Sequence, residues 1–166
     1  MSLDENKAIA RRFLEAWAAD DLAVIDELAA PNFFVSYSYF NRAHEKEAIE
    51  DLEEFKQAIL AFQSTMSDLK LVSEDDIIAE GDKVVIRWTG RGTYAKDVFG
   101  FTDGSIIGKS VVWSGITIYR IVDGKVVEER GFEDDLGAHM RQLGIVPTGW
   151  TRVDVGGVGL PGFQAL

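Results

Sequence analysis

The sequence contains no cysteine, and only two histidines and three prolines among 166 residues. Without cysteine, disulfides, thiolate catalysis and cysteine-built zinc sites are excluded. The histidines, His44 and His139, show no HxxxH-type ligand spacing. A metal site built on them would need carboxylates to complete it, so no metal is expected. No GxSxG-type elbow is present, which argues against a nucleophilic triad. No apolar run approaches the roughly 20 residues of a membrane span. Residues 1–30 do not read as a signal peptide, and with the lack of cysteine this leads to the expectation of a cytoplasmic protein. Positive charge is also scarce: 17 Lys and Arg stand against 28 Asp and Glu, a net charge of -11. Such a field repels nucleic acid and anionic membranes, and the basic clusters (Arg11 with Arg12, Arg87 with Arg91) are small. Neither partner class is expected.

What is present suits one globular domain: 46% of the residues are hydrophobic, enough for a core. Residues 4–19, DENKAIARRFLEAWAA, carry Ile9, Phe13, Ala16 and Trp17 at helical spacing. A second short helix is expected over 21–30, ending before Pro31. NFFVSYSYF (32–40) is aromatic and β-branched, as in a strand. Helical spacing returns over 45–63, where Ile49, Leu52, Phe55, Ile59 and Phe62 share a side; its acidic face is read as solvated. From residue 67 the period becomes two, giving strands at about 67–79, 83–94, 109–122 and 125–134. EGD at 80–82 and VDGK at 122–125 read as turns. The loop from Lys96 to Gly108, with Phe99 and Phe101, is either a lid or a long β-connection. Helices followed by an antiparallel meander give an α+β fold: a cone-shaped, strongly curved sheet closed by the N-terminal helices around an interior pocket.

Three acids, Glu133, Asp134 and Asp135, stand between the last strand and a final helix with Leu136, Met140 and Leu143 on one face and Gly144 as its stop. With Asp123 and Gly124 as a two-residue turn, Gly115 faces Phe132 and Trp113 faces Asp134. Alternation then puts Trp113, Phe132, Asp134 and Arg130 on one side and Glu133 on the other. A β-bulge near Gly115 or Gly131 would flip the assignment. On this count Asp135 caps the helix and Asp134 meets an aromatic face, where partial desolvation suits general acid–base work. The competing reading makes Asp134 the cap and leaves Asp135 solvated. Trp17, Tyr37, Phe55, Trp88, Trp113 and Tyr94 are candidates to line a pocket for a flat apolar ligand, and core filling is the competing role for each. Arg130 is a candidate cation on the same side; close to Asp134, it would lower that pKa.

The runs AEGDKVVIRWTGRGTY (79–94), SVVWSGITIYRIVDGKVVEE (110–129) and DDLGAHMRQLG (134–144), with the opening ENKAIARRFLEAWAADDLAVIDELAAP, resemble the SnoaL-like polyketide cyclases of the nuclear-transport-factor-2-like superfamily. The resemblance implies one cone domain over residues 1–146. It leaves 147–166 as an apolar, glycine-rich extension at a dimer interface or pocket mouth. It implies an apolar, cyclic or polyketide-like small-molecule substrate, no metal or cofactor, and a homodimer or higher homo-oligomer. It gives Asp134 the role of general acid–base in cyclisation or isomerisation, with Tyr94, where relatives often carry histidine, as a hydrogen-bond donor to a developing oxyanion. The expected ligand-binding residues are Trp17, Tyr37, Phe55, Trp88, Trp113, Arg130 and Phe132. A water-activating hydrolase of the epoxide-opening kind and a non-catalytic ligand binder are the alternatives on the same scaffold.

Overall fold

The computed structural model describes residues 1–37, 48–98, 105–133 and 142–144, without the side chains of 74–76 and Glu133. Asp134, Asp135, His44, His139, Phe99 and Phe101, and with them the middle of the expected lid (99–104), the final-helix start and the C-terminal extension, lie outside the described residues.

Helix α1 (Leu3–Glu15) starts at a capping box: Ser2 Oγ accepts from Glu5 N at 3.2 Å, and Ser2 N donates to the Glu5 carboxylate at 2.7 Å. Its core face holds Ala10, Phe13 and Leu14, and a 3-10 turn (Ala16–Ala18) then buries Trp17. Helix α2 (Ala23–Leu28) is shorter than expected. The chain turns extended at Ala29, and strand β1 (Ala29–Tyr37) includes Pro31. Proline is tolerated because β1 is an edge strand and its pairing is irregular between Ala29 and Phe34. Helix α3 (Leu52–Gln63) is capped by Asp51, whose side chain accepts from Glu54 N at 2.7 Å. Ile49, expected on this helix, instead bridges Val35 by two 2.9 Å backbone bonds.

Strands β2 (Lys70–Glu80), β3 (Lys83–Thr93), β4 (Ser110–Val122) and β5 (Lys125–Glu133) form the expected meander. The β4–β5 turn has positive φ at both central residues, Asp123 (50°) and Gly124 (78°), as a type I′ hairpin requires. The sheet order is β1-β5-β4-β3-β2, with β1 parallel to β5 and the other neighbours antiparallel. The result is an α+β cone: the curved, unclosed sheet presents its inner face to α1 and α3. The core between them is aromatic. Phe33 lies 5.0 Å from Phe55 and 5.5 Å from Phe13, and Tyr119 meets Phe13 edge-on at 5.9 Å.

The β4–β5 register departs from the expected one by a single residue. Val122 pairs with Lys125 and Ile121 with Val126, but Arg120 then pairs with Glu128, so Val127 is the extra residue of a bulge. Both Val126 and Val127 are buried. Beyond the bulge the alternation is reversed. Phe132 pairs with Ile116 rather than Gly115 and is 65% exposed, and Arg130 is exposed on the same outer face. Glu129 and Gly131 are the residues that turn inward.

Candidate functional site

The inner sheet face combines very large and very small residues. Trp88 on β3 pairs with Gly115 on β4, Gly90 pairs with Trp113, and Gly131 on β5 pairs with Tyr37 on β1. A Cβ at Gly115, Gly90 or Gly131 would fall 2.3, 2.4 or 1.7 Å from the facing ring. Each glycine therefore lets an aromatic ring lie across the neighbouring strand. Those rings, with Trp17, Leu14, Phe62 and Leu71, line a pocket. Its cavity volume is about 10 Å³, about one water's worth. Phe62 stands against Trp113 at 6.2 Å, so admitting a ring-sized ligand requires one of these side chains to swing.

Beside this apolar lining sits one hydrogen-bonded chain. The Tyr37 hydroxyl donates to Glu129 Oε1 at 2.5 Å, and the Trp17 indole N–H donates to the same oxygen at 3.1 Å. Tyr37 and Thr117 are 3.3 Å apart, and Trp88 Nε1 donates to Thr117 Oγ1 at 2.9 Å. Proton counting fixes the direction. Tyr37 has one proton and gives it to Glu129, so its oxygen accepts from Thr117. The chain runs from Trp88 through Thr117 and Tyr37 to the carboxylate.

Glu129 and Thr117 are fully buried. Burial raises the Glu129 pKa to about 7, against the hydrogen bonds that favour its charged form, and among the described residues no cation offsets the burial. Among the described residues, Glu129 Oε2 and the Tyr119 hydroxyl are buried without a hydrogen-bond partner, although Tyr119 lies close enough to influence the carboxyl. Tyr37 and Tyr119 are both pushed well above the usual phenol range, first by burial and next by the Glu129 charge, so they keep their protons. A carboxyl that changes charge near neutrality and touches a pocket-lining phenol is suited to acid–base work.

Of the expected ligand-binding residues, Trp17, Tyr37, Trp88 and Trp113 come together around the pocket. Phe55 does not: it is fully buried in the core, 5.4 Å from Trp17 and 5.0 Å from Phe33. Arg130 and Phe132 point outward, a correction that follows directly from the bulge. Arg130 pairs with Glu128 and lies 5.0 Å over Phe34. Tyr94 is buried beyond the end of β3, where it bridges Met66, and is not among the pocket-lining residues. Glu129 was not anticipated from the sequence. Its signal is the doubled valine at 126–127 after a tight turn, where one extra residue moves the inward position from Glu128 to Glu129.

The comparisons with known proteins agree with this architecture. The family model for SnoaL-like polyketide cyclase matches residues 7–143. Among solved structures, AclR from Streptomyces galilaeus, a candidate hydroxylase, is 25% identical with a TM-score of 0.70, over 88% of this chain and 89% of that one. TsrD from Streptomyces laurentii is 25% identical with a TM-score of 0.70, over 88% and 99%. IdmH from Streptomyces antibioticus, a candidate polyketide cyclase, matches in fold, at 23% identity and a TM-score of 0.72, over 84% and 98%. No curated protein matches the chain. The family match spans most of the sequence, and the chain belongs to the SnoaL-like polyketide cyclase family.

Proposed function

We propose that the protein is a cofactor-independent proton-transfer enzyme, a cyclase or isomerase, acting on an apolar cyclic or polyketide-like small molecule. The observation that carries this reading is the pocket: its lining is aromatic, yet the hydroxyl of one lining residue, Tyr37, is bonded to a buried carboxyl. An apolar wall excludes water, and a few placed polar groups orient a ligand and move its protons. Asp134, the residue after the end of β5, is the general acid–base in this reading on the strength of the family resemblance; the register count that set it beside Trp113 is removed by the Val127 bulge. It removes a proton from the carbon next to a ligand carbonyl, and the resulting enolate closes a ring or is reprotonated elsewhere.

A second reading, water activation for epoxide-type opening, is favoured by the water-sized cavity. Isotopes separate the two. Candidate carbonyl compounds and epoxides of planar, apolar type are incubated in D2O or in H2-18O and followed by mass spectrometry. Proton transfer at carbon puts deuterium into the carbonyl ligand, whereas hydrolysis puts 18O into a diol. Asp134→Asn should lower the rate of either by about 100-fold or more while leaving ligand affinity nearly unchanged. Parallel loss of rate and affinity would contradict the catalytic role of Asp134.

A further inference from the structure

The geometry points to Tyr37 as the group that donates a hydrogen bond to a ligand oxygen, and to Glu129 as the positioning residue that holds or releases the Tyr37 proton. The inference rests on the pocket reading above; it gives Tyr37, expected from the sequence only as a ligand-binding residue, the role of hydrogen-bond donor, and it adds Glu129. Tyr37 belongs to both environments: its ring lines the pocket, and its hydroxyl joins the buried chain. Among the described residues no other lining residue has a hydroxyl, and the indole N–H groups of Trp17 and Trp88 are already given to Glu129 and Thr117.

The proton of Tyr37 is committed as long as Glu129 is charged. A hydrogen bond to a carboxylate is roughly twice as strong as one between neutral groups, and the 2.5 Å separation fits the charged kind. A neutral Glu129 makes a weaker acceptor, and the Tyr37 proton then becomes available to a ligand carbonyl in the pocket. The second carboxyl oxygen gives the neutral form a place. Among the described residues Glu129 Oε2 has no partner, and neither has the nearby Tyr119 hydroxyl, so a proton on Oε2 can be offered to Tyr119. Among the described residues the titratable groups that face Glu129 are Tyr37 from β1 and Tyr119 from β4, and both stay protonated across the neutral range. The switch therefore follows the charge of Glu129.

The probe is 2-acetylnaphthalene, a planar apolar ketone whose only polar atom is an acceptor. Binding is read by quenching of tryptophan fluorescence, and the bound carbonyl by its infrared stretch. The full chain should bind it about tenfold more tightly near pH 6 than near pH 8, because the neutral fraction of Glu129 falls about that much across its pKa. The carbonyl stretch should move to lower frequency only on the acidic side. Glu129→Gln mimics the neutral carboxyl and should keep the tight affinity at both pH values. Tyr37→Phe should bind weakly at both, with no carbonyl shift. Affinity that is independent of pH in the unaltered protein, or Glu129→Gln weakened in step with Tyr37→Phe, would overturn the inference and leave the pocket standing. Absence of binding at every pH would overturn the pocket reading and this inference together.

Discussion

Glu128 and Glu129 are adjacent on β5, yet they occupy opposite faces of the sheet. Glu128 lies on the outer face with Arg120 at 3.2 Å and Arg130 also in contact, and these cations hold its pKa below the usual carboxylate range. Glu129 faces inward to the Trp17 indole and the phenols of Tyr37 and Tyr119, and burial drives its pKa up. The difference comes from backbone geometry, because the side chains are identical. One bulge residue decides which glutamate is a surface ion-pair partner and which is a buried acid. An isolated buried carboxylate is costly, so its presence beside a pocket points to chemistry rather than stability.

The largest expected effect is on the linkage between pH and stability. In the folded chain Glu129 holds its proton up to about pH 7, whereas the unfolded chain releases it near 4.5. Between those values the folded state binds more protons, so stability falls as pH rises and levels off above about 7. The gap corresponds to about 3 kcal/mol. Glu129→Gln should remove that loss and be more stable than the unaltered protein by about 2–3 kcal/mol at pH 8, measured by urea denaturation. The two should converge near pH 4.5. A mutation that stabilises while weakening the pH control of ligand binding would sharpen the contrast with Glu128.

Gly131→Ala tests whether the inner face depends on the close ring contact. The new Cβ would fall 1.7 Å from Tyr37, so the ring must shift, at about 1–3 kcal/mol, and the Tyr37–Glu129 bond should break with it. Thermal denaturation and the pH profile of stability read both effects. Thr117→Val removes the middle of the chain, leaving the Trp88 N–H unpaired in a buried place, and should cost about 1–2 kcal/mol. On the outer face, Glu128→Gln should cost less than about 1 kcal/mol. Its sign with pH is opposite: the stabilisation is present above the unfolded carboxylate pKa and disappears as pH falls. Phe132→Ser, smallest of all, should leave 2-acetylnaphthalene affinity unchanged. A clear loss would return Phe132 to the pocket side and break the assignment of faces.

Most of the fold was legible in the sequence because periodicity reports burial directly. The four strands from β2 to β5 and the Asp123–Gly124 turn follow from alternation and from a dipeptide that accepts positive φ. The parallel pairing of β1 with β5 was less legible, because pairing between distant segments leaves no local pattern. The aromatic pocket residues were partly legible: Trp17, Tyr37, Trp88 and Trp113 were recognisable as candidates, but nothing local separates them from Phe55 in the core. Glu129 was hidden by the Val127 bulge, since a one-residue slip inverts every side chain after it. That same slip explains why Phe132 and Arg130 were expected inside and lie outside.

The account is tested most directly by titrating the two glutamates individually, using 13C-carboxyl NMR on glutamate-labelled protein with Glu128→Gln and Glu129→Gln for assignment. The expected result is one carboxyl with a midpoint near 7, lost only in Glu129→Gln, and a second below the usual glutamate range, lost only in Glu128→Gln. Two carboxyls titrating together near 4.5 would contradict the burial of Glu129, and with it the acid–base reading of the Tyr37 chain.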